Sequence, residues 1–434
     1  MKQFLSRALA VTLLLGSAVP AAAAPGHYAF AWSGDPDGKG EDFIAVIDAD
    51  PASPKYGTLV TTAASGIRSK QNHHTEYWMP EGGLLFANDH KAGTTAVMDL
   101  RDPLHPRLHA TFNGLAGFSH PHSFLRLPNG HVLASFQVEG TMHHGGDHDM
   151  AAMPRAGMPG ANMPRANMPE MPDEVDIGAK PNLHGGVVEI DNEGRLVRAA
   201  STADPARPGD LLMAYSLLPL PDIDRVVVTN SGMRNEDRIG HTYQVFRLSD
   251  LKRLSTNDFD APPGTYGETN PEEARAGPDG SVYVQTLGCG IERLTDLATD
   301  EPQSKLVWQF PGFACGVPTI VSHYLIQSVP ILHGLVVLDI RDGAHPVEVA
   351  RTAIDPAYQP HWTVYDPATH RVAVTGESTE DRLMMLKFDP DSGALSVDTA
   401  FHDAQGKPGF DFANRTWPHG WTGAAYAHGV VFSR

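Results

Sequence analysis

Residues 121–136 read PHSFLRLPNGHVLASF: a histidine, a short apolar stretch, a Pro-Asn-Gly turn and a second β-rich strand. The same order recurs in HHTEYWMPEGGLLFAND at 73–89, in PHWTVYDPATHRVAVTG at 360–376, and in PHGWTGAAYAHGVVFSR at 418–434. A second phrase also repeats: VMDLRDPLHPRLHATF at 97–112 aligns with VVLDIRDGAHPVEVART at 336–352. Short β-rich runs punctuated by Pro, Asn, Asp and Gly are hairpin signals, and recurrence at a fixed period signals a repeat architecture. Innermost-strand starts fall near His73, His122, Tyr215, Glu273, Val317, His361 and His419. The steps run from 44 to 58 residues, apart from one of 93 that contains an insertion. A four-stranded propeller blade takes ~40–50 residues. The pattern therefore predicts an all-β, seven-bladed propeller. The last repeat is too short for a whole blade, so the N-terminal strands YAFAWSG, DFIAVIDAD and GTLVTTAA are expected to complete it, protecting both edges.

Composition agrees. Gly (42) and Pro (35) are abundant and long helical periodicity is scarce. Lys2 and Arg7, the apolar run Ala8–Val19 and the Ala21–Ala24 cluster read as a secretory signal cleaved near Ala22–Ala24, which predicts a periplasmic or secreted protein. Residues 25–434 are then expected to form a single propeller domain. No later segment is apolar for long enough to span a bilayer, so no membrane association is expected. The formal charge of −18 argues against nucleic acid as a partner and suits cations. Cys289 and Cys315 lie outside any CxxC pair. An oxidising compartment permits their pairing, and two buried small apolar residues fit equally.

Histidines at one phase of a repeat end at one level of the fold, and neutral imidazole is the commonest protein metal ligand. In this registration the four histidine-bearing blades are consecutive around the ring. His74, His122, His361 and His419 are expected to converge on one copper ion at the channel mouth, with His73 as an adjacent ligand or proton relay. Ordinary imidazoles would release that ion below about pH 6. The insertion at about 141–175 contains His143, His144 and His148, then Met153, Met158, Met163 and Met168, five apart and each followed by Pro. Thioethers select Cu(I) and imidazole suits Cu(II), so this segment reads as a copper-recruiting loop able to meet a copper donor protein. The alternatives are a low-complexity expansion without a ligand and an adhesive methionine surface for a partner.

Several stretches resemble the selenium-binding protein / methanethiol oxidase family: DFIAVIDADPASPKYGTLV (42–60), NHHTEYW (72–78), HPHSFLRLPNGHVLAS (120–135), GGVVEIDNEGRLV (185–197), PEEARAG (271–277) and QPHWTVYDPATHRVAVTGES (359–378). The resemblance implies a seven-bladed propeller with a copper-linked site at the channel. Some members oxidise methanethiol with O2 to formaldehyde, hydrogen sulfide and hydrogen peroxide. His73 and His74 match the family's paired histidines. His122 and His361 match its third-blade and late-blade histidines, and His419 is aligned with its C-terminal histidine. Glu273 and Arg275 match its Glu-Ile-Arg segment. They are expected to serve the reaction, Glu273 as hydrogen-bond acceptor or proton carrier and Arg275 as its orienting partner. Leu125 and Arg126 replace a histidine and a cysteine of the family pattern, which marks a divergent member.

Three functions follow. The first is a periplasmic copper-dependent oxidoreductase acting on a small thiol. The second is a copper-binding or copper-delivery protein without turnover. The third is a metal-free propeller serving as an interaction scaffold.

Overall fold

A computed structural model describes residues 26–140, 183–232, 239–260, 270–378 and 382–434. The expected signal segment and the Met/His-rich insertion lie outside the described residues. Seven four-stranded antiparallel sheets follow one another along the chain. Blades 1 to 6 open with the strands Asn72–Thr75, Phe118–Arg126, Ala214–Leu220, Pro271–Ala276, Thr319–Val321 and Pro360–Asp366. Each opening strand touches that of the next blade, so together they line a central channel. Blade 7 joins both chain ends: Tyr426–Phe432 is innermost, followed outward by Tyr28–Gly34, Glu41–Asp48 and Leu59–Arg68. The pairing Ala29↔Phe432 through Gly34↔Tyr426 closes the ring. Among the described residues the only helices are two single 3-10 turns, Pro221–Ile223 and Pro330–Leu332.

The core lies between blades, where the middle strands are apolar on both faces. Ile44, Val46, Leu85 and Met98 pack at one such seam and Val337, Val372 and Leu386 at another, all fully buried. The outermost strands alternate instead: Val347–Ala353 buries every second residue only partly, as a strand with one wet face requires. The repeated Asp-x-Arg-Asp-x-x-His-Pro phrase is a turn between third and fourth strands. Asp102 accepts from the Leu104 amide and from His105, and Asp342 does the same for Ala344 and His345. These histidines serve the turn and lie away from the channel.

One boundary differs from the sequence reading. The innermost strand of blade 7 begins at Tyr426, not near His419. The preceding residues form a small hairpin, Arg415–Thr416 against Thr422–Gly423. There His419 Nδ1 bonds the Thr62 hydroxyl at 2.7 Å on the outer strand, and its ring packs on Phe43. Cys289 and Cys315 are disulfide-bonded with Cα atoms 5.0 Å apart, tying blade 4 to the entry of blade 5.

Candidate metal centre

The channel wall is built by one local device used six times. In blade 1, Asn72 pairs with Asp89 and Thr75 with Ala87, so three residue steps face two. The same extra residue occurs at Pro121/Phe124, Ala214/Leu217, Pro271/Ala274 and Pro360/Thr363, and between Ala427 and Val430 in blade 7. Such bulges bend a strand and re-aim its side chains. The residues inside them are His73-His74, His122-Ser123, Tyr215-Ser216, Glu272-Glu273, His361-Trp362 and His428-Gly429. The bulges collect the polar chemistry of the chain around one axis.

Five histidines meet there. Nε2 of His73 lies 2.9 Å from Nε2 of His122, a hydrogen bond between two imidazoles. The His73 and His74 rings stack at 4.2 Å, His74 meets His122 at 4.4 Å, and His73 meets His428 at 4.3 Å. His361 reaches His428 at 4.6 Å. Ligand atoms of His73, His74 and His122 all lie within 4.8 Å of one another. Two nitrogens on one tetrahedral ion stand ~3.3 Å apart at bond lengths of ~2.0–2.1 Å, so small shifts would bring these atoms onto a common ion. Nε2 of His74 is buried and has no hydrogen-bond partner, and neither has Nδ1 of His428. Orphaned buried imidazole nitrogens facing other imidazoles are what a metal would satisfy.

The group is electrostatically prepared for a cation. Burial, then the neighbouring imidazoles, push His73, His74 and His428 far below the ordinary histidine range. Burial brings His122 down to about 3. The rings stay neutral and keep their lone pairs well below the pH 6 expected from ordinary imidazoles.

Beneath His74 lies a carboxylate network. Glu273 Oε1 is 3.6 Å from His74 Nδ1, and the Ser123 hydroxyl stands 3.4 Å from both. Glu273 Oε2 accepts from the Tyr77 hydroxyl, from Ser216 at 3.0 Å and from Arg275 at 3.2 Å. The Arg275 guanidinium lies over the Tyr77 ring at 3.8 Å, and the other Tyr77 face stacks on Trp362. Burial also pushes Glu272, next along the strand, up to about 8. The structure thus brings His73, His74, His122, His361, Glu273 and Arg275 to the channel and leaves His419 at the rim of blade 7. Sequence reasoning missed His428, Glu377 and Tyr77. For His428 the signal was Ala-His-Gly, which reads as a turn in the sequence and lies inside the last strand, Tyr426–Phe432. Arg126, at the family's cysteine position, makes a two-pronged ion pair with the buried Glu76.

No family model matches the chain. Over 135 residues it is 30% identical to a methanethiol oxidase from a Hyphomicrobium species, a stretch covering 30% of either protein. The fold matches a hypothetical selenium-binding protein from Sulfolobus tokodaii with a TM-score of 0.66 and 16% identity, over 95% of this chain and 94% of that one. It also matches the periplasmic gluconolactonase of Pseudomonas aeruginosa with a TM-score of 0.57 and 13% identity, over 94% and 99% of the two chains. At such identities the structural matches speak for the propeller alone. The chain is thus similar in sequence, over 30% of its length, to one methanethiol oxidase, and it shares its propeller fold nearly end to end with a hypothetical selenium-binding protein.

Proposed function

We propose that this protein is an exported copper-binding propeller that holds the ion on His73, His74 and His122 and serves to sequester or deliver it. The observation that carries this reading is the buried, unpartnered Nε2 of His74 among imidazoles that burial keeps neutral. An unsatisfied buried polar atom costs about 1–3 kcal/mol, and a metal bond there offsets it. Imidazole alone suits copper, zinc and nickel. Copper is favoured by the Met/His-rich sequence at 141–175, which would also serve exchange with a copper donor protein. Export is supported by the N-terminal sequence and by the Cys289–Cys315 bridge, since disulfides persist in oxidising compartments.

A second reading is oxidation of a small thiol at the same centre, favoured by the likeness to a methanethiol oxidase and by the carboxylate under His74. Bound copper would supply redox and Lewis-acid chemistry. Glu273 would then accept or return a proton at Oε1, the oxygen facing His74, with Arg275 and Ser216 holding the carboxylate in place through Oε2.

Metal analysis of periplasmic protein, followed by oxygen uptake with thiols, tests both readings. Stoichiometric copper that His122→Ala loses, without oxygen uptake, supports sequestration. Copper with thiol-dependent uptake replaces it by the oxidase reading. Metal-free protein that refuses added copper overturns both and leaves the interaction scaffold.

A further inference from the structure

The buried three histidines do not exhaust the channel's ligands. His361, Glu377 and His428 form a second group whose ligand atoms also lie within 4.8 Å of one another. Its character differs. His73, His74 and His122 are 4, 0 and 0% exposed, whereas the His361 and Glu377 side chains are 17 and 33% exposed. His428, the buried member of the second group, touches His73 of the first. The rings run in contact from the wetter group inward: His361 to His428, His428 to His73, His73 to His74.

The backbone holds this second group firmly. Thr375 donates its hydroxyl to the His428 carbonyl at 2.6 Å, and Ser328 donates to the His361 carbonyl at 2.6 Å. The Glu377 amide bonds the Gln359 carbonyl at 2.9 Å, which places the Glu377 backbone at the start of the His361 strand, and the carboxylate stands beside His361, Oε2 to Nδ1 3.1 Å. Nδ1 of His428 is buried without a partner. Two imidazoles and a carboxylate make a donor set for a borderline divalent cation. The carboxylate also supplies a negative charge that the inner trio lacks, which favours capture of a hydrated cation from solvent.

We infer that His361, Glu377 and His428 form an entry site that takes up a divalent cation of the copper class and passes it inward to His73, His74 and His122. The inference rests on reading the inner trio as a metal centre. Transfer needs no redox step: ligands are exchanged one for another, and His428, in ring contact with both His361 and His73, is the side chain placed to bridge them.

The test is titration of the metal-free full-length chain with Cu2+, following stoichiometry by dialysis, loading by stopped flow and the copper spectrum by paramagnetic resonance. Glu377→Gln and His361→Asn are compared with His122→Ala and the native chain. Any copper held by residues 141–175 is common to all four. Both rim variants are expected to hold one equivalent fewer than the native chain and to fill the remaining channel site about tenfold or more slowly. His122→Ala is expected to lose a different equivalent. The native chain at full loading should show dipolar broadening that each variant lacks. Glu377 is partly exposed, so Glu377→Gln should melt like the native chain. Native stoichiometry and native loading rates in both rim variants, with loss of copper in His122→Ala, would sink the entry site and leave the inner centre standing. No loss in His122→Ala would remove the inner centre and this inference with it.

Discussion

At the scale of single residues, the channel histidines behave as a group because burial outweighs every other influence on them. A lone exposed imidazole titrates near 6.5; His122, with no exposed surface, is held to about 3. This has a stability consequence in metal-free protein. The unfolded chain binds a proton on this ring near pH 6.5, and the folded chain only near pH 3. Between those values the unfolded state carries more protons, so stability rises with pH and is lost as pH falls. For His122 alone the loss is on the order of a few kcal/mol, and His73, His74 and His428 add in the same direction. Thermal melting of metal-free protein should therefore fall steeply from pH 6.5 toward 4, and His122→Asn should flatten that slope. A melting temperature independent of pH in this window would contradict the neutral cluster. Other histidines of the repeat play no part in this group: His105 and His345 are exposed partners of turn aspartates.

At the scale of elements, the bulge in six of the seven innermost strands decides what faces the channel. It places two consecutive side chains where a regular strand would place one. The bulges need close backbone packing, and glycines supply it. A Cβ on Gly429 would sit 2.8 Å from the Thr75 amide nitrogen, and one on Gly316 would sit 2.3 Å from the His361 carbonyl oxygen. Gly429→Ala is expected to cost about 1–3 kcal/mol through overpacking between blades 7 and 1 and to displace His428. Denaturant unfolding and copper stoichiometry would read the two effects; a variant as stable as the native chain with full copper would show that the contact relaxes freely. The bulge also explains the misplaced His419. In six blades the histidine or its counterpart precedes a turn and a second strand. In blade 7 the innermost strand is the last of the chain, and its partner comes from the N-terminus. The template of histidine, turn and second strand therefore matched the hairpin at 415–423 instead.

At the scale of the whole molecule, the ring is held by seams between blades and by one closure. Blade 2 shows how it tolerates its insertion. The Glu139 amide bonds the His184 carbonyl at 2.9 Å, and the two side chains pair at 2.8 Å, so the chain leaves and returns at adjacent points. Deleting residues 141–175 and joining the ends should therefore leave the melting temperature within a few degrees of native, because the length of a connection between two fixed, adjacent points changes stability little. It should also reduce copper uptake if this segment recruits the ion. A deletion that abolishes folding would show the segment to be part of the core.

What the sequence by itself determined is the repeat, and with it the seven blades, their closure and the level at which His73, His74, His122 and His361 stand. Those features follow from local rules: alternation, turn residues and period are properties of short stretches that each strand must satisfy alone. Only the tertiary structure decided which polar residues meet. His428 comes into range of His361 because blade 7 closes against blade 6, Glu377 joins them because the second strand of blade 6 pairs back on its first, and Tyr77 reaches Glu273 across the channel, 196 residues away along the chain. Leu125 and Arg126, departures in the pattern of motifs, prove to be a packing residue and the partner of buried Glu76. Such pairings depend on ring closure and burial, which no window of sequence contains.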